Sequence, residues 1–408
     1  MPRAPAWKVR PASAIICSRM RPLICLLLVT TTLAHGADFR ATDFASKTIY
    51  RSPQSPGFTC WVGAWVMPNK SLMVSLTQAT GPVKDRPRTD PKILAHFPGW
   101  PPNGNAAYDM NGLDLRNVYL RSTGAGRTWK QVSADPFRSG MNHATGKAQL
   151  ALPDGTIVRA VWGQYLPFDD VPKTGYLQRS ADGSKTWSKP ETPLLDPKRF
   201  TTYPTRLRQL HDGRLIVTGG MMRLPAGTLP QNVNRPPIEP LLMVSTDGGK
   251  TWGEPIDVVG EQAKNWSGEE WDTAELPGGD LLCVFRTVDP TGKTNREVRC
   301  QALLKKEGES WKPQDVRPAP LPHSGHPELL ATREGVILHI ATSGIDATTD
   351  AGQTWHRLEG AGPSAYYPRS LQTADGQIYV FSHAGGDDAY GAVDQSIRMD
   401  TFNLSTRR

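Results

Sequence analysis

The sequence of 408 residues is poor in cysteine, and its five cysteines show no recognisable framework. Cys17 and Cys25 precede residue 36, which leaves three without C-x-x-C spacing for the rest of the chain. Such a set predicts neither a disulfide-rich scaffold nor a structural zinc site. Cys283 and Cys300 lie on two strand-like runs that a turn can bring together, so a disulfide and two buried thiols are both open.

Clusters of basic residues are also lacking. The net charge is +8, but five of these positive charges fall in residues 1–36, which contain no acidic residue. The remainder has no run of Lys and Arg interleaved with aromatic residues. We therefore predict no nucleic-acid partner.

Residues 1–36 have the features of an export signal. Arg21 precedes an apolar run over 23–29, and Ala34 and Gly36 are small residues at the positions that a signal peptidase inspects. The run is short for a membrane span, although an uncleaved anchor is the alternative. We expect a signal peptide over 1–36, with its start possible at Met20. A single domain over 37–408 would then be secreted or periplasmic, without stable membrane insertion.

What the sequence has in abundance is glycine (38), proline (36) and tryptophan (12). Two segments, 179–187 and 244–252, share the pattern Ser-x-Asp-Gly-x-Lys-Thr-Trp. Eroded copies end at Trp129 and Trp355, and a remnant ends at Trp311. In such a box the Ser and Asp side chains can bond the backbone of a turn, and Trp can cover it.

A second repeat interleaves with the boxes and consists of a polar turn followed by an apolar, β-branched run. Asp-Gly between extended runs is a strong hairpin signal, because Gly accepts the positive φ of tight turns. The six copies lie at 68–74, 153–158, 211–217, 277–282, 333–338 and 374–379.

The two repeats together predict one four-stranded antiparallel unit. The Asp-Gly turn would join the inner strands, and the box would join the outer pair. Six such units closed in a ring protect their edges, and helix-period segments of useful length are absent. We therefore predict an all-β, six-bladed β-propeller.

The boxes resemble the Asp-box, or BNR, repeats of the sialidase superfamily, over most of 37–408. The resemblance implies a sialidase-like propeller without a cofactor or a metal. Sialidases use an arginine triad for the substrate carboxylate, an Asp acid/base, and a Tyr nucleophile activated by a Glu. The boxes themselves are expected to be structural.

Residue by residue, the resemblance gives three catalytic candidates. The segment 268–286 is similar to the family pattern in which Glu270 is the base, although Glu269 competes with it. Tyr367 precedes the sixth hairpin, where the nucleophile belongs, beside Tyr366. Asp109 fits the acid/base position better than Asp114 does, in a sequence that is also typical of turns.

Substrate-binding candidates are basic residues upstream of the hairpins. Arg286 matches one arginine of the triad, and the others recur at equivalent blade positions: Arg206, Arg369, His326 and His143. The chain departs from the triad pattern in two places. The first inner strand, 58–65, has no arginine, and His339 stands where another would belong. Asp387, Asp388 and Asp394 fit either a Ca²⁺ site or a solvated loop.

These residues predict an exported, sialidase-like glycoside hydrolase that acts on a terminal sugar, acidic or neutral, of a glycan. Two alternatives remain. One is a polysaccharide lyase or non-sialidase glycosidase that uses His143 or His326. The other is a non-catalytic propeller that binds glycans or serves in assembly.

Overall fold

The computed structural model describes residues 39–94, 105, 107, 109–136, 148–162, 174–191, 194–224, 238–261, 270–288, 297–322, 325–386 and 390–406. Apolar and β-branched runs separated by glycine turns form 22 strands, β1 to β22. The one helix of this part of the chain, α1 (Pro91–Leu94), is a single turn. None of the described helices is long and apolar enough to cross a membrane.

The strands form six sheets, which we number as blades in chain order. Blade 1 contains β2 (Phe58–Val66), β3 (Leu72–Thr80), β4 (Asp114–Ser122) and β5 (Lys130–Pro136). Blade 2 contains β6 (Ala148–Ala151), β7 (Ile157–Val161) and β8 (Tyr176–Ser180), and blade 3 contains β9 (Phe200–Gln209), β10 (Leu215–Arg223) and β11 (Glu239–Ser245). Blade 4 contains β12 (Trp271–Glu275), β13 (Leu281–Val288), β14 (Glu297–Glu307) and β15 (Ser310–Pro318). Blade 5 contains β16 (Glu328–Ala331), β17 (Ile337–Ala341), β18 (Gly344–Thr348) and β19 (His356–Arg357). Blade 6 contains β20 (Tyr366–Gln372), β21 (Ile378–Ala384), β22 (Ser396–Thr406) and β1 (Phe39–Arg51).

All pairings within the blades are antiparallel, and the first strand of each blade lines a central channel. The ring is closed by β1, which pairs with β22 from Phe39 opposite Thr406 to Arg51 opposite Ser396. In blades 2 and 3 the fourth position is taken by irregular segments. Their backbone NH groups, those of Glu191 and Ile256 among them, donate to β8 and β11. The predicted six-bladed, all-β propeller is confirmed.

The six predicted hairpins share one turn geometry. In each, the fourth residue of the turn has a positive φ, and its NH donates to the carbonyl three residues earlier, as Gly155 does to Leu152 at 2.9 Å. Five of the turns place glycine there, and Lys70 takes that position in the first. The hairpins therefore fix the register between the first two strands of every blade.

The boxes form a second recurrent turn, after the third strand of a blade. Asp182 Oδ1 accepts hydrogen bonds from the backbone NH groups of Lys185 and Thr186, both at 3.0 Å. The hydroxyls of Ser180 and Thr186 also donate to Asp182, at 2.8 and 2.6 Å. The boxes at Asp247 and Asp350 repeat this scheme. Their carboxylates are therefore occupied by the turn itself, as expected.

The apolar core is divided among the interfaces between neighbouring blades. Trp271 illustrates this, because its ring stacks on Phe285 within blade 4 while its indole NH donates to the Gly219 carbonyl of blade 3. Cys283 and Cys300 are buried between the same two blades. No disulfide joins them, so the alternative of two buried thiols is the one observed.

Candidate functional site

The inner strands all run from one end of the channel to the other. We call the end at which they begin the strand-start mouth, and the end at which they turn into the second strands the hairpin end. Tyr367 is the second residue of β20 and Glu270 immediately precedes β12, so both lie at the strand-start mouth.

Tyr367 occupies a β-bulge. The pairing of β20 with β21 shifts register between Tyr366 and Arg369, and Tyr367 has a φ of 49°. A positive φ is costly for a bulky residue, and bulges often aim a side chain at a functional site. The bulge gives the two neighbouring tyrosines different surroundings, since Tyr366 is exposed and Tyr367 is partly buried.

Two histidines lie beside Tyr367. The His383 ring stacks on the Tyr367 ring with centroids 5.6 Å apart, and the His326 ring lies 6.2 Å from it. His326 Nδ1 is 2.7 Å from the Pro327 carbonyl oxygen, which can only accept. The neutral His326 ring therefore carries its lone pair on Nε2, as a general base requires. The sequence prediction included His326 but missed His383, which comes at the end of β21.

Glu270 and Arg286 are partners of each other. They face one another across the start of β12 and the end of β13, where the Arg286 NH donates to the Glu270 carbonyl at 2.9 Å and the side chains form an ion pair. The side chains are 19% and 28% exposed, respectively. This pair lies on blade 4, and blade 5 separates it from Tyr367 on blade 6.

Asp109 is almost fully buried in the loop before β4. Its carboxylate accepts hydrogen bonds from the Thr89 NH at 2.9 Å, the Thr89 hydroxyl at 2.6 Å and the Asn111 NH at 3.0 Å. Burial raises the pKa of Asp109, but these hydrogen bonds outweigh it and hold the pKa below its ordinary value. The adjacent Met110 belongs to the apolar cluster against which Tyr367 packs.

The middle of the channel is filled by five charged side chains that we call the channel plug: Arg206, Arg208, Asp272, Glu328 and Arg369. Asp272 accepts from Arg208 Nη2 at 2.6 Å and from the Leu329 NH at 2.7 Å. Glu328 accepts from the Ser370 NH at 2.5 Å and from Arg206. Both carboxylates are fully buried, so their negative charges are met by groups of the protein.

Arg369 extends the plug across the channel. Its Nη1 lies 3.4 Å from Glu328 Oε2, and its Nη2 donates to the Thr205 carbonyl of the opposite blade at 3.4 Å. Burial, together with repulsion from Arg206, lowers the pKa of Arg369 to about 10. Arg206 and Arg369, which were predicted to bind substrate, thus have their charges balanced by buried carboxylates.

The sequence prediction missed the two carboxylates of the plug. Asp272 could have been found from strand alternation, because it lies two residues beyond Glu270, which immediately precedes β12. Glu328 follows His326 in the same way.

Five other residues that the sequence analysis names do not belong to the mouth or the plug as described. His143, Asp387 and Asp388 lie outside the described residues. Asp394 accepts from the Gly57 NH at 2.7 Å and from the Ser55 hydroxyl, so it holds the loop before β2. His339 is buried on β17, against Trp355, and burial lowers its pKa.

Solved structures share this architecture. A protein of unknown function from Dyadobacter fermentans is 19% identical, with a TM-score of 0.57 over 91% of this chain and 100% of that one. The family 93 α-L-arabinofuranosidase of Fusarium graminearum, in complex with arabinobiose, is 13% identical, with a TM-score of 0.58 over 87% and 97%. The Hadza microbial sialidase Hz136 is 17% identical, with a TM-score of 0.51 over 86% of this chain and 66% of that one.

These likenesses establish the sialidase-like propeller fold. No model of a known protein family matches the sequence, and no curated protein matches it either.

Proposed function

We propose that the protein is a glycoside hydrolase that acts at the strand-start mouth on a terminal sugar of a glycan. The observation that carries the proposal is the group formed by Tyr367, His326 and His383, which combines a strained tyrosine with two histidines at the converging strand starts. The structural neighbours that are described as an arabinofuranosidase and a sialidase support a carbohydrate substrate.

Tyr367 is the proposed nucleophile. A phenol has an ordinary pKa near 10, so it needs a neighbouring base to accept its proton. Glu270 was predicted for this role, but its side chain is paired with that of Arg286 on the same blade. His326 and His383 are the nearer candidates, since their rings are already in contact with Tyr367.

Asp109 is the proposed acid/base, and it must be protonated to act as a general acid. Its lowered pKa favours the ionised form in the unliganded protein. The proposal therefore requires that a bound sugar displaces at least one donor of Asp109, such as the Thr89 hydroxyl.

The proposal covers two classes of substrate, an acidic sugar and a neutral sugar, which differ in how they would meet Arg286. Arg286 is the arginine proposed to bind a substrate carboxylate, and Glu270 competes with that carboxylate for it. An acidic sugar would have to break this ion pair, whereas a neutral sugar could accept hydrogen bonds from it unchanged.

The proposal also includes export of the protein from the cytoplasm. The basic and apolar segment within residues 1–36 supports a signal peptide and therefore a secreted or periplasmic enzyme. N-terminal sequencing of the protein from a native host should give a start near residue 37.

A panel of nitrophenyl glycosides tests the reaction class. Sialosides, arabinofuranosides and uronides should be included, with the products followed by NMR. We expect release from one class with retention of the anomeric configuration, because a covalent tyrosine intermediate inverts the centre twice. Inversion would exclude the tyrosine nucleophile, and saturable binding without turnover would favour a glycan-binding propeller.

A lyase is the second candidate, and it is favoured by the Nε2 lone pair of His326. Its product is an unsaturated sugar that absorbs in the near ultraviolet. Appearance of that absorbance with a uronic acid polymer, without any hydrolysis, would replace the proposal.

A further inference from the structure

The channel has a second opening, at the hairpin end, which the proposed reaction does not use. A pocket of about 310 Å³ lies there, walled by the last residues of the inner strands. This volume is at the lower end of the range for small-molecule sites. The channel plug forms its floor, because Arg206 and Arg208 line the pocket.

The plug carries an excess of positive charge. It contains three guanidinium groups, of Arg206, Arg208 and Arg369, and two carboxylates, of Asp272 and Glu328. The plug itself therefore has one guanidinium more than it has carboxylates, and the further carboxylate that lines the pocket, that of Glu275, is bonded to the His211 NH. Arg208 is the most accessible of the three cations, since its side chain is 23% exposed.

A second observation points to a ligand. Gln149 lines the same pocket and is 5% exposed. Its Oε1 accepts from the Ser75 hydroxyl at 3.2 Å, whereas its Nε2 has no hydrogen-bond partner among the described residues. A buried donor without a partner is costly, and an acceptor on a bound molecule would satisfy it.

We infer that the hairpin end of the channel binds a small organic carboxylate, with Arg208 as its cation and Gln149 as a neutral donor. A planar carboxylate matches the guanidinium fork, and the pocket also offers apolar surface at Ala64 and Leu330 for a short carbon chain. Glu275 stands at the opening and accepts from the His211 NH at 2.7 Å. Its negative charge disfavours anions with several charges.

Binding of glycerate, measured by calorimetry, tests the inference, with glycerol as the neutral ligand of matching shape. We expect one glycerate per chain with a Kd of about 1 mM or lower, and no heat from glycerol. Equal binding of the two ligands, or binding of inorganic phosphate without glycerate, would contradict a carboxylate site. So would the absence of heat at about 10 mM glycerate.

Two variants locate the site. Ala331→Trp places a large side chain at the exposed rim of the pocket without touching a buried charge, and we expect it to weaken glycerate binding at least about tenfold. Arg208→Gln should weaken it by a similar factor. Arg179→Gln is the matched control, because Arg179 is 20% exposed and paired with Glu191 on blade 2.

The variants also separate this site from the proposed reaction. Tyr367→Phe should leave glycerate binding within about twofold of the original value. If Ala331→Trp folds normally and binds glycerate as well as the original protein, the hairpin end is not the binding site.

Discussion

Two layers of the same channel differ sharply in how their polar groups are held. At the strand-start mouth, Tyr367 has a strained backbone and its ring is stacked, and Glu270 is partly exposed. Two residues further along the same strands, Arg369 and Asp272 are fully buried in the plug. A ligand can therefore replace the contacts of the groups at the mouth, whereas removal of a charged group from the plug is expected to destabilise the fold.

The largest change in the free energy of unfolding is expected from a substitution in the plug. Glu328→Ala removes the carboxylate that Arg206, Arg369 and Ser370 share. It should lower the free energy of unfolding by about 3–5 kcal/mol, because buried guanidinium groups lose their partner. Denaturant titration measures this change.

Glu191→Ala is the control for that experiment, since Glu191 pairs with Arg179 near the surface. Its cost should be about 0–1 kcal/mol. If the two variants lost the same stability, the plug would not be the layer of the channel that stabilises the fold.

The loop of Asp109 should show an intermediate effect. Asp109→Asn disturbs three hydrogen bonds and should lower the free energy of unfolding at neutral pH by about 1–3 kcal/mol. Because the folded pKa lies below the unfolded one, this stabilisation is present above about pH 4 and is lost as the pH falls through the folded pKa.

The pH dependence of unfolding for Asp109→Asn should therefore converge with that of the original protein in acid. Asp114→Asn is the matched control, because Asp114 is exposed and pairs with Arg116. Curves that stayed parallel down to about pH 3 would contradict the lowered pKa of Asp109.

The smallest effect concerns the first box, in which Gly124 stands at the position that Asp182, Asp247 and Asp350 occupy in three other boxes. A side chain at Gly124 meets only the Arg127 guanidinium, at 3.7 Å, so it has room. Gly124→Asp should raise the free energy of unfolding by about 0.5–1 kcal/mol, because the new carboxylate can accept from the turn. Gly124→Ala separates this gain from the loss of backbone freedom. Equal changes in the free energy of unfolding for Gly124→Asp and Gly124→Ala would mean that the carboxylate does not stabilise the turn.

The blade architecture could be predicted because its determinants are local. Each hairpin needs a left-handed residue within a few positions, and each box bonds its own turn, so the residues at 152–155 or 180–186 carry the information by themselves. The number of blades followed from counting six hairpins, whereas the closure of the ring by β1 against β22 was not predicted.

The candidate site was less accessible to prediction because it depends on contacts between distant blades. Tyr367 was chosen by its position, but its contact with His383 depends on the bulge in β20, which sequence alternation does not reveal. Arg206 was predicted to meet a substrate. It meets Glu328, which lies 122 positions away, and no local pattern pairs the two.

The two neighbouring tyrosines offer the most direct test of the claim that the strand-start mouth performs the chemistry. On the glycoside that the protein cleaves, Tyr367→Phe should lower kcat at least about 100-fold, since it removes the nucleophilic oxygen. Tyr366→Phe, which alters an exposed ring on the same histidine, should leave kcat within about threefold. Equal activity of the two variants and the original protein would contradict the claim.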